Sequence, residues 1–108
     1  MSKKRVVITG LGSINSIGTN VEDTWKSLLA GMSGIGYISR FDTTDMPSKI
    51  AAEIKDYDPL NYFDPKNAKK MDLYTHFALI AAAEAVKDAD LVDTNIDKDR
   101  IGVILGAG

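Results

Sequence analysis

Three lysines, Lys66, Lys69 and Lys70, stand at positions i, i+3 and i+4. In a helix that spacing puts all three ammonium groups on one face. Such a face suits an acidic partner, because opposite charge steers encounter and fixes register. Composition alone reads the same cluster as a solvated helix surface. A second candidate is Gly10-Leu11-Gly12, which follows the apolar run Val6-Val7-Ile8. That order opens many dinucleotide-binding domains. The fingerprint G-x-G-x-x-G needs a third glycine to let helix and strand pack closely. Asn15 occupies that place. The reductase variant T-G-x-x-x-G-x-G starts at Thr9-Gly10 and then meets Ile14 and Ser16 where glycines belong. No acid stands where a ribose would need it, since Glu22 and Asp23 fall in the start of the next helix. Gly10 and Gly12 then simply make a tight strand-to-loop turn.

Nucleophilic chemistry finds little support. There is no cysteine, which removes disulfides, thiolate metal sites and a thiolate nucleophile. Ser13 and Ser16 have no basic neighbour in sequence and read as loop serines. The single histidine, His76, lies early in a helix with no base–nucleophile pair beside it, and reads as structural or surface.

These groups need elements to position them. Val6 to Thr9 predicts a buried strand, β-branched and ended by Gly10. Asn20 predicts a helix N-cap, with Glu22 and Asp23 in the first turn where acids suit the dipole. Val21, Trp25, Leu28 and Leu29 recur on one helical face, expected to be core, and Gly31 fits the C-terminal cap. Ile35 to Ile38 and Ile50 to Ile54 are short strand candidates among turn residues. Pro65 to Met71 predicts one or two helical turns. Asp72 can cap a helix from Leu73 to about Asp88, whose Ala81–Ala85 stretch spreads apolar character around most of the cylinder and predicts burial on more than one side. Ile101 to Leu105 predicts a last strand, ending in Gly106-Ala107-Gly108. Strand, helix, irregular region, helix and strand predict α/β layering on a parallel sheet covered on both faces.

The 108 residues suffice for one small domain, and 44% hydrophobic with 26% charged is an ordinary composition. A net charge of −2 offers no polycation for nucleic acid or for a membrane surface. No apolar run approaches the ~20 residues of a membrane span. No signal-peptide pattern follows Met1-Ser2-Lys3-Lys4, so a cytoplasmic location is expected. Two strands and two long helices are too few to close a doubly covered sheet, which reads as the opening piece of a larger fold.

Five stretches in register carry a resemblance: RVVITGLGSINSIG, VEDTWKSLLAGMSGI, RFDTTDMPSKIAAEIKDYDP, KNAKKMD and RIGVILGAG. Together they resemble the N-terminus of the β-ketoacyl-acyl carrier protein synthases, the condensing enzymes of fatty-acid synthesis, and are most similar to the bacterial type II elongating, synthase II-like members. The resemblance implies a thiolase-like fold, an αβαβα sandwich when complete, of which residues 1–108 form the N-terminal portion of the N-terminal domain. It implies 3-oxoacyl product formed by decarboxylative Claisen condensation of an acyl thioester with malonyl-acyl carrier protein. The implied machinery is a nucleophilic cysteine, two histidines and a lysine, none of which corresponds to a residue of this chain, so the 108 residues alone are expected to be inactive. No metal or cofactor is implied, the phosphopantetheine arm arriving on the acyl carrier protein. A homodimer is implied, with no nucleic acid or membrane partner. By the same resemblance Lys66, Lys69 and Lys70 match carrier-docking positions, and Gly106, Ala107 and Gly108 begin a turn beside the acyl pocket and dimer interface. Two other readings stay open: a non-catalytic relative such as a chain-length factor of a polyketide system, and an NAD(P)-binding oxidoreductase domain.

Overall fold

The computed structural model describes residues 2–92 and 95–108. Along the chain run helix α1 (Val21–Leu29), strand β1 (Ile35–Tyr37), strand β2 (Ile50–Ala52), helix α2 (Pro65–Lys70) and helix α3 (Leu73–Asp88). Single 3-10 turns stand at Pro59–Asn61 and Lys98–Arg100.

The helix ends follow the local chemistry closely. The Asn20 side chain accepts the amide of Asp23 at 2.8 Å, satisfying one of the orphan donors of α1. At the other end the Met32 amide reaches the Ser27 carbonyl at 3.0 Å and that of Gly31 reaches Leu28 at 3.1 Å. This closing pattern demands a left-handed residue after the cap, and Gly31 supplies it with φ +67. Helix α3 closes in the same way through Leu91 to Val86 at 3.1 Å, but the left-handed residue there is Asp90, φ +56. Asp is among the few side chains that tolerate this region. Asp72 does stand at the N-cap of α3, yet its side chain makes no capping bond.

Strands β1 and β2 pair antiparallel, with Ile35 opposite Ala52, Gly36 opposite Ala51 and Tyr37 opposite Ile50. Glu53, 9% exposed, ties the hairpin just beyond its last pair. Its carboxylate accepts the Ser39 hydroxyl at 2.8 Å and the Ser39 amide at 3.1 Å. The Ser39 hydroxyl is the main reason its carboxyl lies below the ordinary range, with the amides of Ser39 and Arg40 and the Arg40 charge adding to it against the opposing pull of desolvation.

Four expectations are corrected. Among the described residues β1–β2 is the one sheet, and it is antiparallel, not parallel. Val6–Thr9 and Ile101–Leu105 are not strands: no neighbouring strand supplies ladder partners, and Val6 is 96% and Ile104 98% exposed. A strand exists through its neighbour's hydrogen bonds, so an apolar run alone does not make one. The apolar face of α1 is not core either, with Trp25 59% exposed and Leu28 and Leu29 open as well. The same holds for α3, where Ala82 and Ala83 are exposed. No hydrophobic side chain among the described residues is buried. The radius of gyration is 17.5 Å, against about 13 Å for a compact domain of this length.

What holds the N-terminal loop is its seat on α3. A Cβ at Gly12 would collide with the carbonyl of Ala81, and one at Gly10 with that of Ala85, so the loop lies directly on the small-residue face of the helix. Two acids one turn apart on α3 fix it there. Asp88 accepts the Leu11 amide at 3.0 Å, and Glu84 accepts the Ser13 amide at 2.9 Å. Glu84 also accepts the amide of Val21 at 3.1 Å, the first residue of α1, where a negative charge suits the helix dipole. Asn15 shapes the loop from inside. Its side-chain amide donates to Ser13 Oγ at 2.9 Å and Thr24 Oγ1 at 3.0 Å, and its carbonyl oxygen accepts the Ile17 amide at 2.9 Å.

Candidate functional site

The three lysines share one short helix. Asp64 caps α2 by accepting the Asn67 amide at 2.9 Å, and Pro65 fills the first turn, where its missing N–H leaves no orphan. Lys66, Lys69 and Lys70 all fall within α2 and all are exposed. Their i, i+3, i+4 spacing therefore sets them on a common face. Among the described residues the one ion pair is Lys26–Glu22 at 3.0 Å, so none of the three lysines is held in an ion pair there.

Beneath α2 lies a small aromatic cluster around His76, which is 3% exposed. The ring sits 4.9 Å from that of Phe63 and 5.9 Å, edge-on, from that of Tyr57. Its Nε2 lies 2.9 Å from the carbonyl of Ala68, and its Nδ1 lies 2.8 Å from the Tyr57 hydroxyl. A carbonyl only accepts, so Nε2 carries the hydrogen, and in the neutral ring Nδ1 accepts from the tyrosine hydroxyl. Burial, then the nearby Tyr62 and Asp58, push the Tyr57 hydroxyl above its ordinary value and keep it a donor. His76 is thus a structural histidine with both nitrogens satisfied.

Gly106 to Gly108 stand apart from this cluster. Nothing lies within 4 Å of where a Cβ would stand at Gly106 or Gly108. Ser13 is engaged within the loop, its hydroxyl oxygen accepting from Asn15 and its amide donating to Glu84. Among the described residues no group of three or more His, Cys, Asp or Glu could hold a metal, and no helix is long and apolar enough to cross a membrane.

Sequence reasoning set the lysines on one helix and missed the His76–Ala68 bond beside them. The signal for His76 was present only as a lone histidine eight residues beyond Ala68. Nothing in the sequence pairs a side chain with a distant backbone carbonyl.

Residues 3–108 match the family described as the β-ketoacyl synthase N-terminal domain, and the chain belongs to that family. It is 45% identical over 108 residues to the 3-oxoacyl-acyl-carrier-protein synthase 2 of Synechocystis sp., and 44% identical over 108 residues to that of Coxiella burnetii. Both alignments take in 100% of this chain and 26% of the relative. Among solved structures it is similar to the ishigamide ketosynthase/chain length factor, with a TM-score of 0.72 and 37% identity over 94% of this chain and 24% of that one. The chain thus spans about a quarter of the length of the relatives it matches. Family membership displaces the dinucleotide-binding reading of Gly10 and Gly12. Their chemistry here is close approach to α3, and Asn15, which broke the fingerprint, is the loop's own hydrogen-bonding hub.

Proposed function

We propose that the protein acts as a 3-oxoacyl-acyl carrier protein synthase of fatty-acid elongation, and that this segment docks the carrier protein. In that reaction a cysteine takes the acyl group from one carrier thioester. Malonyl-acyl carrier protein then loses CO2, and the carbanion left behind attacks the acyl thioester, forming the new C–C bond and releasing the cysteine thiolate. This chain holds no cysteine, so its part is recognition. The observation that carries the reading is the exposed face of Lys66, Lys69 and Lys70 on α2, free of ion pairs among the described residues, which suits a strongly acidic carrier. The carrier brings its own phosphopantetheine arm, and neither metal nor nucleotide is needed. In the complete protein, a thiolase-like αβαβα sandwich acting as a cytoplasmic homodimer, Gly106-Ala107-Gly108 would turn beside the acyl pocket and the dimer interface. A second reading, a chain-length-factor-like subunit without the cysteine, draws on the similarity to the ishigamide ketosynthase/chain length factor.

The test is charge reversal of all three lysines to Glu in the complete protein. Carrier-bound substrate should lose at least about tenfold in kcat/KM at low salt, in keeping with loss of electrostatic steering. The defect should fade as salt rises, because the Debye length falls from about 10 Å at 0.1 M to about 3 Å at 1 M. A short acyl-pantetheine thioester should react equally well with both proteins. Equal impairment on both substrates would sink the docking role. A wild-type protein that binds carrier yet forms no 3-oxoacyl product would favour the second reading.

A further inference from the structure

We infer that His76 is a positioning residue for carrier docking: it caps the C-terminus of α2 from the neighbouring helix and so holds the three lysines on one face. This rests on the docking role proposed for those lysines. Helix α2 has six residues, too short to be stable alone. Its N-terminus is secured by Asp64, while its last four carbonyls have no intrahelical partner. Ala68 is one of those four, and its carbonyl receives Nε2–H of His76 at 2.9 Å. The bond is shielded, since His76 is 3% exposed and is flanked by Tyr57 and Phe63. Water cannot readily replace a buried donor, so the carbonyl would be left without its partner if the imidazole were lost. The end of the helix would then fray, and the end that frays carries Lys69 and Lys70. The ring's other nitrogen bonds the Tyr57 hydroxyl, a second contact that does not touch α2, while the Ala68 carbonyl sets the hydrogen on Nε2.

The two hydrogen bonds of the ring can be separated by side-chain reach. In Gln the terminal nitrogen falls near the place of Nε2, and in Asn near that of Nδ1. Thus His76→Gln can keep the bond to Ala68, whereas His76→Asn can keep only the bond to Tyr57. Tyr57→Phe does the reverse, removing the hydroxyl and sparing the cap. In the complete protein, His76→Asn should raise KM for malonyl-acyl carrier protein about fivefold, within the range by which a residue remote from ligand modulates coupling. KM and kcat with malonyl-pantetheine should not move. His76→Gln and Tyr57→Phe should stay within about twofold of wild type on both substrates. In the triple Lys→Glu background His76→Asn should have no further effect, because the face it positions is gone. Equal KM values for His76→Asn and His76→Gln on the carrier substrate would overturn the inference while leaving the docking role intact. If the triple lysine variant itself leaves the carrier KM unchanged, the docking role falls and this inference with it. Should His76→Asn not fold, the other two variants decide: a carrier-specific rise in KM in either overturns the inference, since both retain the cap.

Discussion

Asn15, Glu53, His76 and Glu84 show how much of this structure depends on single polar side chains that serve the backbone. Each accepts from or donates to main-chain groups, and main-chain groups carry no sequence signature. The lysines of α2 were legible because charge and helical spacing are both written in the sequence. Glu84 was not, because the amides it accepts, Ser13 and Val21, lie 71 and 63 residues away. Glu53 offers a measurable consequence. Its carboxyl lies below the ordinary value of 4.5, so ionised Glu53 stabilises the hairpin above about pH 4.5 and that contribution is lost as pH falls through its lower folded value. Glu53→Gln in the complete protein should therefore lower stability near neutral pH. The difference from wild type should shrink as pH drops below 4.5. Denaturant midpoints across pH would check it, and a difference that grows toward acid would contradict the assignment.

At the scale of elements, the helices were legible and the sheet was not. Helices α1 and α3 begin and end within a residue of where capping and periodicity put them, because a helix's bonds are local. The short β1–β2 hairpin also falls inside its expected segments. Val6–Thr9 and Ile101–Leu105 fail because a strand depends on partners elsewhere in the chain, and apolar composition says only that burial would be favourable. The seat of the N-terminal loop on α3 gives a prediction of this scale. Gly12→Ala drives a methyl into the Ala81 carbonyl and lifts the loop away from Glu84. The expected loss is about 1–3 kcal/mol, the usual effect of forcing an extra carbon into a closed contact. Glu84→Ala should then cost less in the Gly12→Ala background than in the wild type. Strict additivity in that double-mutant cycle would show that the glycine and the carboxylate act independently.

As a whole molecule, the chain is a set of well-formed local elements around apolar surfaces that nothing among the described residues covers. Its relatives are about four times as long, and its fully open residues, Val6 and Ile104 among them, are the kind that sheets and interfaces bury. The isolated 108-residue polypeptide is therefore expected to bind a hydrophobic dye, to self-associate at micromolar concentration and to form no 3-oxoacyl product. Size-exclusion chromatography with dye fluorescence and a condensation assay would test this. A dye-silent monomer with a cooperative melt would show instead that the segment is self-sufficient.

The acidic clasp on α3 also sets an order of events during synthesis. Leu11 is held by Asp88, 77 residues later, and Ser13 by Glu84. Closing a loop of that length costs about 4 kcal/mol of chain entropy, and it cannot close at all until Asp88 has left the ribosome. At about 5–20 residues per second the loop at Leu11 to Ser13 then waits several seconds for its seat. Throughout that interval the amides of Leu11 and Ser13 exist without their carboxylate partners, so the loop takes its seat only once the helix that carries the clasp is complete.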